Sequence, residues 1–237
     1  MPVEERATTT HWMSRKGAST GDNRDACGIF SSPCTTLAMI ADAAELGHDG
    51  AGLAGEFIRS VMERAVRMDD PVPERIVEIM RTVHGEIRLR YLAEKACYSA
   101  LLIRHDLNEA WTITCGDCRV GRYREDGQID WITPVHCMAT PFGQAFTAVH
   151  ACLADRHTVT RRLHARRFDA PEIRFVEDYS VGTSWVLATD GYWIESLKGD
   201  QMTRDVADDD ASWMLMSFER DHEFLETDCG NWYRLKG

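Results

Sequence analysis

The sequence predicts an α+β fold in which helices lie against antiparallel sheets, and the order of its hydrophobic periodicities is the basis for that reading. Two consecutive segments repeat apolar residues at helical spacing, four closely spaced segments then alternate at strand period, and further strand-like runs close the chain. Strands this close together leave no room for helical crossovers, which excludes a parallel α/β sheet. No repeat, low-complexity tract or Gly/Ser linker marks a boundary, so residues 1–237 read as one domain.

Taken in order, residues 36–42 (TLAMIAD) form a short apolar run that suits a buried strand delivering Asp42 at its C-terminal end. Gly47-His48-Asp49-Gly50 is a turn cluster that also suits a helix cap. Leu53, Phe57, Ile58, Val61, Met62, Ala65 and Val66 then share one helical face, ending at Asp69-Asp70-Pro71. A second helix starts after Pro73 and runs to about Lys95, with Ile76, Val77, Met80, Val83 and Ile87 inward. From Ala96 the runs CYSALLIR, AWTITC, RVGRYR and QIDWIT, the last two separated by a turn at Glu125-Asp126-Gly127, read as an antiparallel meander. Residues 152–167 read as a helix carrying Arg156, Arg161, Arg162, Arg166 and Arg167. That helix reads first as a solvated face and second as a dock for an acidic or phosphorylated partner. Residues 183–190 and 212–219 supply a last strand pair, with Trp185, Trp193 and Trp213 as core.

Composition narrows the function classes. The chain has 237 residues, 27 Lys+Arg against 38 Asp+Glu, a net charge of -11 and 44% hydrophobic residues. That apolar content excludes a disordered acidic tail, and the negative charge argues against non-specific nucleic-acid binding. No stretch approaches 18 apolar residues and the N-terminus lacks a signal-like apolar run, so a cytoplasmic protein with no membrane contact is expected. Eight scattered cysteines then read as buried thiols. Cys115 and Cys118 form a lone C-x-x-C with no second pair for zinc and no strand-to-helix setting for redox work.

Four apolar strands stop or begin at aspartates: Asp25 before ACGIF, Asp42 after LAMIA, Asp190 after WVLAT, and Asp208-Asp209-Asp210 just before ASWMLM. One such Asp alone is a turn former. Several brought together repel, and a hard divalent cation removes that conflict because it takes carboxylate oxygens as ligands.

The ordered series Asn23-Arg24-Asp25-Ala26, Ile40-Ala41-Asp42, Cys115-Gly116-Asp117-Cys118-Arg119, Leu187-Ala188-Thr189-Asp190-Gly191-Tyr192-Trp193 and Asp209-Asp210-Ala211-Ser212 resembles the motif ladder of the metal-dependent type 2C (PPM-type) protein Ser/Thr phosphatases. The likeness spans about residues 15–218, with 221–237 as a short C-terminal extension, and residues 157–163 (HTVTRRL) add a further similarity. It implies a four-layer α-β-β-α sandwich, two antiparallel sheets flanked by antiparallel helices, with two or three Mg²⁺ or Mn²⁺ ions at one end. Residue by residue, it implies Asp42 bridging two metals with the Ala43 carbonyl as a further ligand. Asp190 and Asp209 would hold the first ion, Asp25 would serve the second and Asp117 a third. A water ionised between two cations would attack phosphorus in line, hydrolysing phosphoserine or phosphothreonine esters on proteins.

The resemblance also implies a phosphorylated protein substrate, a cognate Ser/Thr kinase and a monomer. Three features depart from the family pattern: Ala43, the missing phosphate-binding Arg, and Arg24, which replaces the acidic or amide residue just before Asp25. Ala43 replaces the glycine after the bridging aspartate. Asp49 offers a competing register, and Asp42 is preferred because it ends a strand. The family's phosphate-binding Arg has no aligned counterpart, which leaves Arg15 and Arg24. His48 is the expected proton donor to the leaving alkoxide, with His136 as the alternative. These departures support a second reading, a weak or inactive relative that binds a phosphorylated or regulatory partner.

Overall fold

The computed structural model describes residues 8–45, 47–180, 182–198 and 208–236. Its first half runs β1 (Thr9–Arg15), β2 (Asp25–Ser31), β3 (Thr35–Ala43), α1 (Gly50–Ala65), α2 (Pro73–Ile87), β4 (Lys95–Arg104) and β5 (Glu109–Cys115). After β6 (Arg119–Tyr123) and β7 (Ile129–Trp131) come a single helical turn α3 (Ala148–Ala151), a 3-10 turn (Ala154–His157), β8 (Leu163–His164), β9 (Arg167–Phe168) and β10 (Glu172–Phe175). The chain closes with β11 (Ser184–Ala188), α4 (Asp190–Lys198), β12 (Ala211–Ser217), β13 (His222–Thr227) and β14 (Trp232–Lys236). No helix among the described residues is long and apolar enough to cross a membrane.

Two sheets stack face to face. One has the order β13-β1-β12-β11-β6-β7, the other β10-β5-β4-β3-β2-β14 with the β8–β9 hairpin attached to β4. Alternation along β3 shows the layering. Leu37, Met39 and Ala41 point to α1 and α2, where they meet Phe57, Ile58, Met62, Ile76 and Met80. Ala38 and Ile40 point the other way, to Trp12, Val120, Trp185, Leu187 and Met214 of the facing sheet. That facing sheet buries its outer side beneath α4 and α3 through Val186, Trp193, Ile194 and Ala151. Strands covered on both faces read as continuous apolar runs, which is why β2, β3 and β4 show no polar alternation. The four-layer α-β-β-α sandwich is therefore present.

Four local expectations need correction. The meander is broken, because β4–β5 belong to one sheet and β6–β7 to the other. Residues 116–118 carry the chain across, and Gly116 makes the step at φ +109°. The helix expected over 152–167 is absent. Leu163 is the buried apolar residue of its C-terminal half, and strand pairing of Ala96 with Leu163 takes that anchor into the sheet. The second helix ends at Ile87, where its apolar stripe ends, rather than near Lys95. Neither sheet is purely antiparallel, because the C-terminal residues add β13 parallel to β1 and β14 parallel to β2.

The tail is thus built into both sheets, and one side chain fastens it. Asn231 is buried and its Oδ1 accepts from the Trp12 indole at 3.0 Å and from Thr227 Oγ1 at 2.7 Å. Its Nδ2 donates to Ser14 Oγ at 2.7 Å and to the Asp25 carbonyl at 3.0 Å. One amide therefore joins β1, β2 and the tail in an otherwise apolar interior, where each unmade bond would carry a full desolvation cost.

A Cβ added at Gly116 would lie 2.3 Å from Cys97 Sγ, in a backbone conformation that L residues avoid. Gly116→Ala is expected to lower unfolding free energy by about 2 kcal/mol or more, read as a lower urea midpoint at unchanged m-value.

Candidate metal centre

Aspartates delivered by both sheets meet at one end of the sandwich. Antiparallel register sets Asp25, at the start of β2, directly opposite Asp42, near the end of β3. Direct cross-strand partners share a face, so two carboxylates are held side by side. Asp190 begins α4, Asp117 lies in the crossing turn between β5 and β6, and Asp209 stands just ahead of β12.

Local chemistry explains each placement. Gly191 follows Asp190 because an added Cβ would lie 2.1 Å from the Asp210 carbonyl oxygen. Thr189 Oγ1 donates to Asp25 Oδ2 at 3.0 Å and accepts from the Ser212 amide at 3.0 Å, tying the two sheets together at this end. Asp210 is an anchor: Oδ1 takes Gly17 N at 2.8 Å and Thr20 Oγ1 at 2.6 Å, and Oδ2 takes Arg24 N at 2.8 Å. Asp210 also borders the cavity, but both its carboxylate oxygens are taken, which leaves Asp209 as the one of the pair with an oxygen to offer a ligand. The crossing turn is braced as well. The Trp193 indole donates to the Asp117 carbonyl at 2.9 Å, and Gly116 N donates to His136 Nδ1 at 3.2 Å.

The carboxylates perturb one another. Burial, followed by the charges of Asp25, Asp190, Asp117 and Asp209, pushes Asp42 well above the usual carboxylate range. Asp25 is likewise raised by burial and by Asp210 and Asp190, against the lowering effect of its Ser212 and Thr189 hydrogen bonds. Burial also raises Asp117. Asp190 and Asp209 are each pushed up to about 6 by burial, then by Asp117 and Asp190 respectively.

A cavity of about 570 Å³ is lined by Asp42, Asp117, Asp190 and Asp209 together with Arg24, Lys95, Arg156, His157 and Arg162, while Asp25 is buried and is not among its lining residues. Ala43 also lines it, with no positive φ and with its Cβ packed against Gly50, so its backbone makes no demand for glycine. Asp49 is the N-cap of α1, its Oδ1 accepting from Gly52 N at 3.0 Å, which removes the competing register.

The expected phosphate and proton-transfer residues fare differently. Arg24 borders the cavity, but its Nε is held by Asp22 at 2.7 Å and its Nη1 by the Ala44 carbonyl at 3.2 Å. Arg15 lies outside, 3.6 Å from Glu226, and His48 is exposed in the turn before α1, also outside the lining. His136 does not line it either; its Nε2 faces Glu172 Oε2 at 3.1 Å. Arg156 is the cation that sequence reasoning left on a solvated helix. The segment instead folds over the cavity, held by a bridge between Cys137 and Val159, and brings Arg156 Nη1 to 3.3 Å from Asp190 Oδ2. No local pattern marks this residue, because the contact depends on that bridge.

With the geometry defined, known proteins supply the comparison. No family model matches the sequence, and no curated protein matches it. Solved structures do match. The PPM Ser-Thr phosphatase MsPP from Mycobacterium smegmatis, in complex with cacodylate, superposes at TM-score 0.71 with 14% identity, over 89% of this chain and 98% of that one. The Mycobacterium tuberculosis serine/threonine phosphatase PstP/Ppp gives TM-score 0.71 at 15% identity over 90% and 99%. The catalytic domain of PstP in complex with two manganese ions gives 0.66 at 16% over 89% and 97%. At these identities the likeness speaks for the fold: the chain has the fold of the PPM-type Ser/Thr phosphatases.

The residues present fit hard divalent cations. Their donors are carboxylate oxygens, and Asp25 Oδ1 is buried without a hydrogen-bond partner. Among the described residues no three acidic, His or Cys groups already close around one point.

The pH dependence has a definite sign. Between about pH 4 and 6 the folded metal-free chain keeps protons on Asp190 and Asp209 that the unfolded chain has released. Stability contributed by raised carboxylates is therefore present at the acid end and lost as pH rises through 6. Thermal melts in chelator are expected to give a higher Tm at pH 5 than at pH 7.5. Adding Mn²⁺ at pH 7.5 is expected to recover it, by about 2.7 kcal/mol at a hundredfold excess over Kd. Asp42→Asn should raise the chelated Tm at pH 7.5 and abolish the Mn²⁺ response.

Proposed function

We propose that the chain is a Mg²⁺- or Mn²⁺-dependent phosphatase that hydrolyses phosphoserine or phosphothreonine esters on proteins. The observation that carries this reading is the cavity itself, in which a cluster of mutually repelling carboxylates faces a rim of cations. Asp42, Asp190, Asp209, Asp25 and Asp117, with the Ala43 carbonyl oxygen, would hold the ions, two or three in number. When bound, the ions supply Lewis-acid charge and make water acidic enough to ionise near neutral pH.

The chain's own residues do the rest. Thr189 and Ser212 fix Asp25, and Asp210 fixes the loop beside it, so the carboxylates need little reorganisation before they act. Arg156 is the guanidinium we assign to the substrate phosphoryl group, in place of Arg15 or Arg24. It is partly buried, borders the cavity, and its present partner Asp190 would be claimed by a cation. A planar fork suits two phosphoryl oxygens. His157, not His48, borders the cavity and is the histidine within reach of a leaving alkoxide.

Hydrolysis of p-nitrophenyl phosphate with Mn²⁺ tests this reading. Wild type should turn over, Asp190→Asn should lose at least about a hundredfold in kcat/KM, and Arg156→Ala should lose about tenfold or more. Activity that survives Asp190→Asn, or chelation, overturns the proposal. Retained Mn²⁺ binding without turnover in wild type points to the second reading, a phosphatase fold kept for binding a phosphorylated partner.

A further inference from the structure

A second cavity, of about 460 Å³, opens on the outer side of the β6–β7 edge and shares no lining residue with the first. Arg119 lies at its base, 5% exposed, with its guanidinium carbon 5.2 Å from the Trp131 ring centre and 5.1 Å from that of Trp193. Of its five N–H groups, one donates to the Thr133 carbonyl at 3.1 Å, and Nε is buried with no partner. No carboxylate among the described residues lies within ion-pair distance of it.

A buried guanidinium of this kind is expensive. Two indole faces offset part of the desolvation, but a buried cation normally has an anion beside it. The cavity's other charges are already committed. Arg174 is paired with Glu172, and Asp130 is exposed and lies 3.6 Å from Arg124. The walls, Trp131, Phe146, Pro134 and Ile129, are apolar, and the space far exceeds a bare oxyanion. It falls in the ordinary range for small-molecule sites.

We infer that Arg119 and its aromatic walls form a binding site for a small organic phosphate, with the oxyanion on the guanidinium and a planar ring against Trp131 and Phe146. The site shares no lining residue with the metal cavity, although the Trp193 indole that flanks Arg119 also donates to the Asp117 carbonyl. A nucleoside monophosphate is the simplest molecule with both parts.

The indole N–H resonances of Trp131 and Trp193 report on it directly. The labelled chain is titrated with inorganic phosphate and with AMP, in chelator and again in Mg²⁺. Saturable shifts of both indoles are expected, with the same midpoint in either condition and with AMP binding about tenfold or more tighter than phosphate. Arg119→Met should abolish them. Gln144→Glu, on the exposed loop at the rim, keeps the fold and should raise the midpoint about tenfold by adding a like charge. Absence of a saturable shift, shifts untouched by either substitution, or equal midpoints for phosphate and AMP overturn the proposal. A midpoint that changes with Mg²⁺ assigns the binding to the metal centre and also overturns it.

Discussion

Two aspartates face each other across adjacent strands at the end of a buried sheet, and the rest of the molecule is arranged around that pair. Coulomb's law puts the repulsion of two carboxylates ~5 Å apart at roughly 3 kcal/mol for an effective dielectric of 20. That is a large share of the 5–15 kcal/mol by which a domain is typically stable. Nothing in the pairing of Asp25 with Asp42 relieves it. Three further carboxylates, Asp117, Asp190 and Asp209, add to the same field. A sequence under selection for stability alone would place an amide or an apolar residue at one of these positions. The fold instead tolerates the cluster because β2, β3 and β4 are buried on both faces, which leaves apolar area to offset a strained end.

The strained end is held by neutral polar groups rather than by cations. Thr189, Ser212, Ser14, Asn23 and Asn231 form a continuous set of hydrogen bonds beneath the aspartates, reaching from β12 through β1 to the C-terminal residues. Neutral donors can fix carboxylates without neutralising them. Had lysine or arginine filled these positions, the cluster would be satisfied internally and would have no claim on a divalent ion. Arg156 is the exception, and its contact with Asp190 comes from a loop rather than from the sheets.

The sequence made the strand-end aspartates legible because a carboxylate closing an apolar run is a local event: four to seven residues suffice to see it. The same locality explains Asp49, whose capping role needs its own turn alone. What was not legible depends on partners distant in the chain. The runs of β5 and β6 look alike in period and spacing, and only the positive φ of Gly116 separates them into two sheets. The C-terminal residues read as an extension because β13 is exposed on both faces and shows no alternation, while β14 finds its place beside β2. Arg156 was placed on a solvated helix since its charge-rich segment carries a helical composition. A bridge to Cys137 and the pairing of Leu163 with Ala96 decide otherwise, and neither is written near residue 156.

Arg156 and Arg24 then divide one task that a single arginine would ordinarily perform. Arg24 is committed: Asp22 holds one nitrogen and the Ala44 carbonyl another. Arg156 holds Asp190 by one nitrogen at a distance long for a charge-assisted bond, so little is lost on release. On the proposed reading, cation binding and substrate binding are coupled through this contact. With a cation on Asp190, the Arg156 guanidinium would be free to take a phosphoryl oxygen in the same cavity. Together with Lys95 and Arg162, which line the same cavity, it would offset the acidic cluster for an entering anion on a chain of net charge -11.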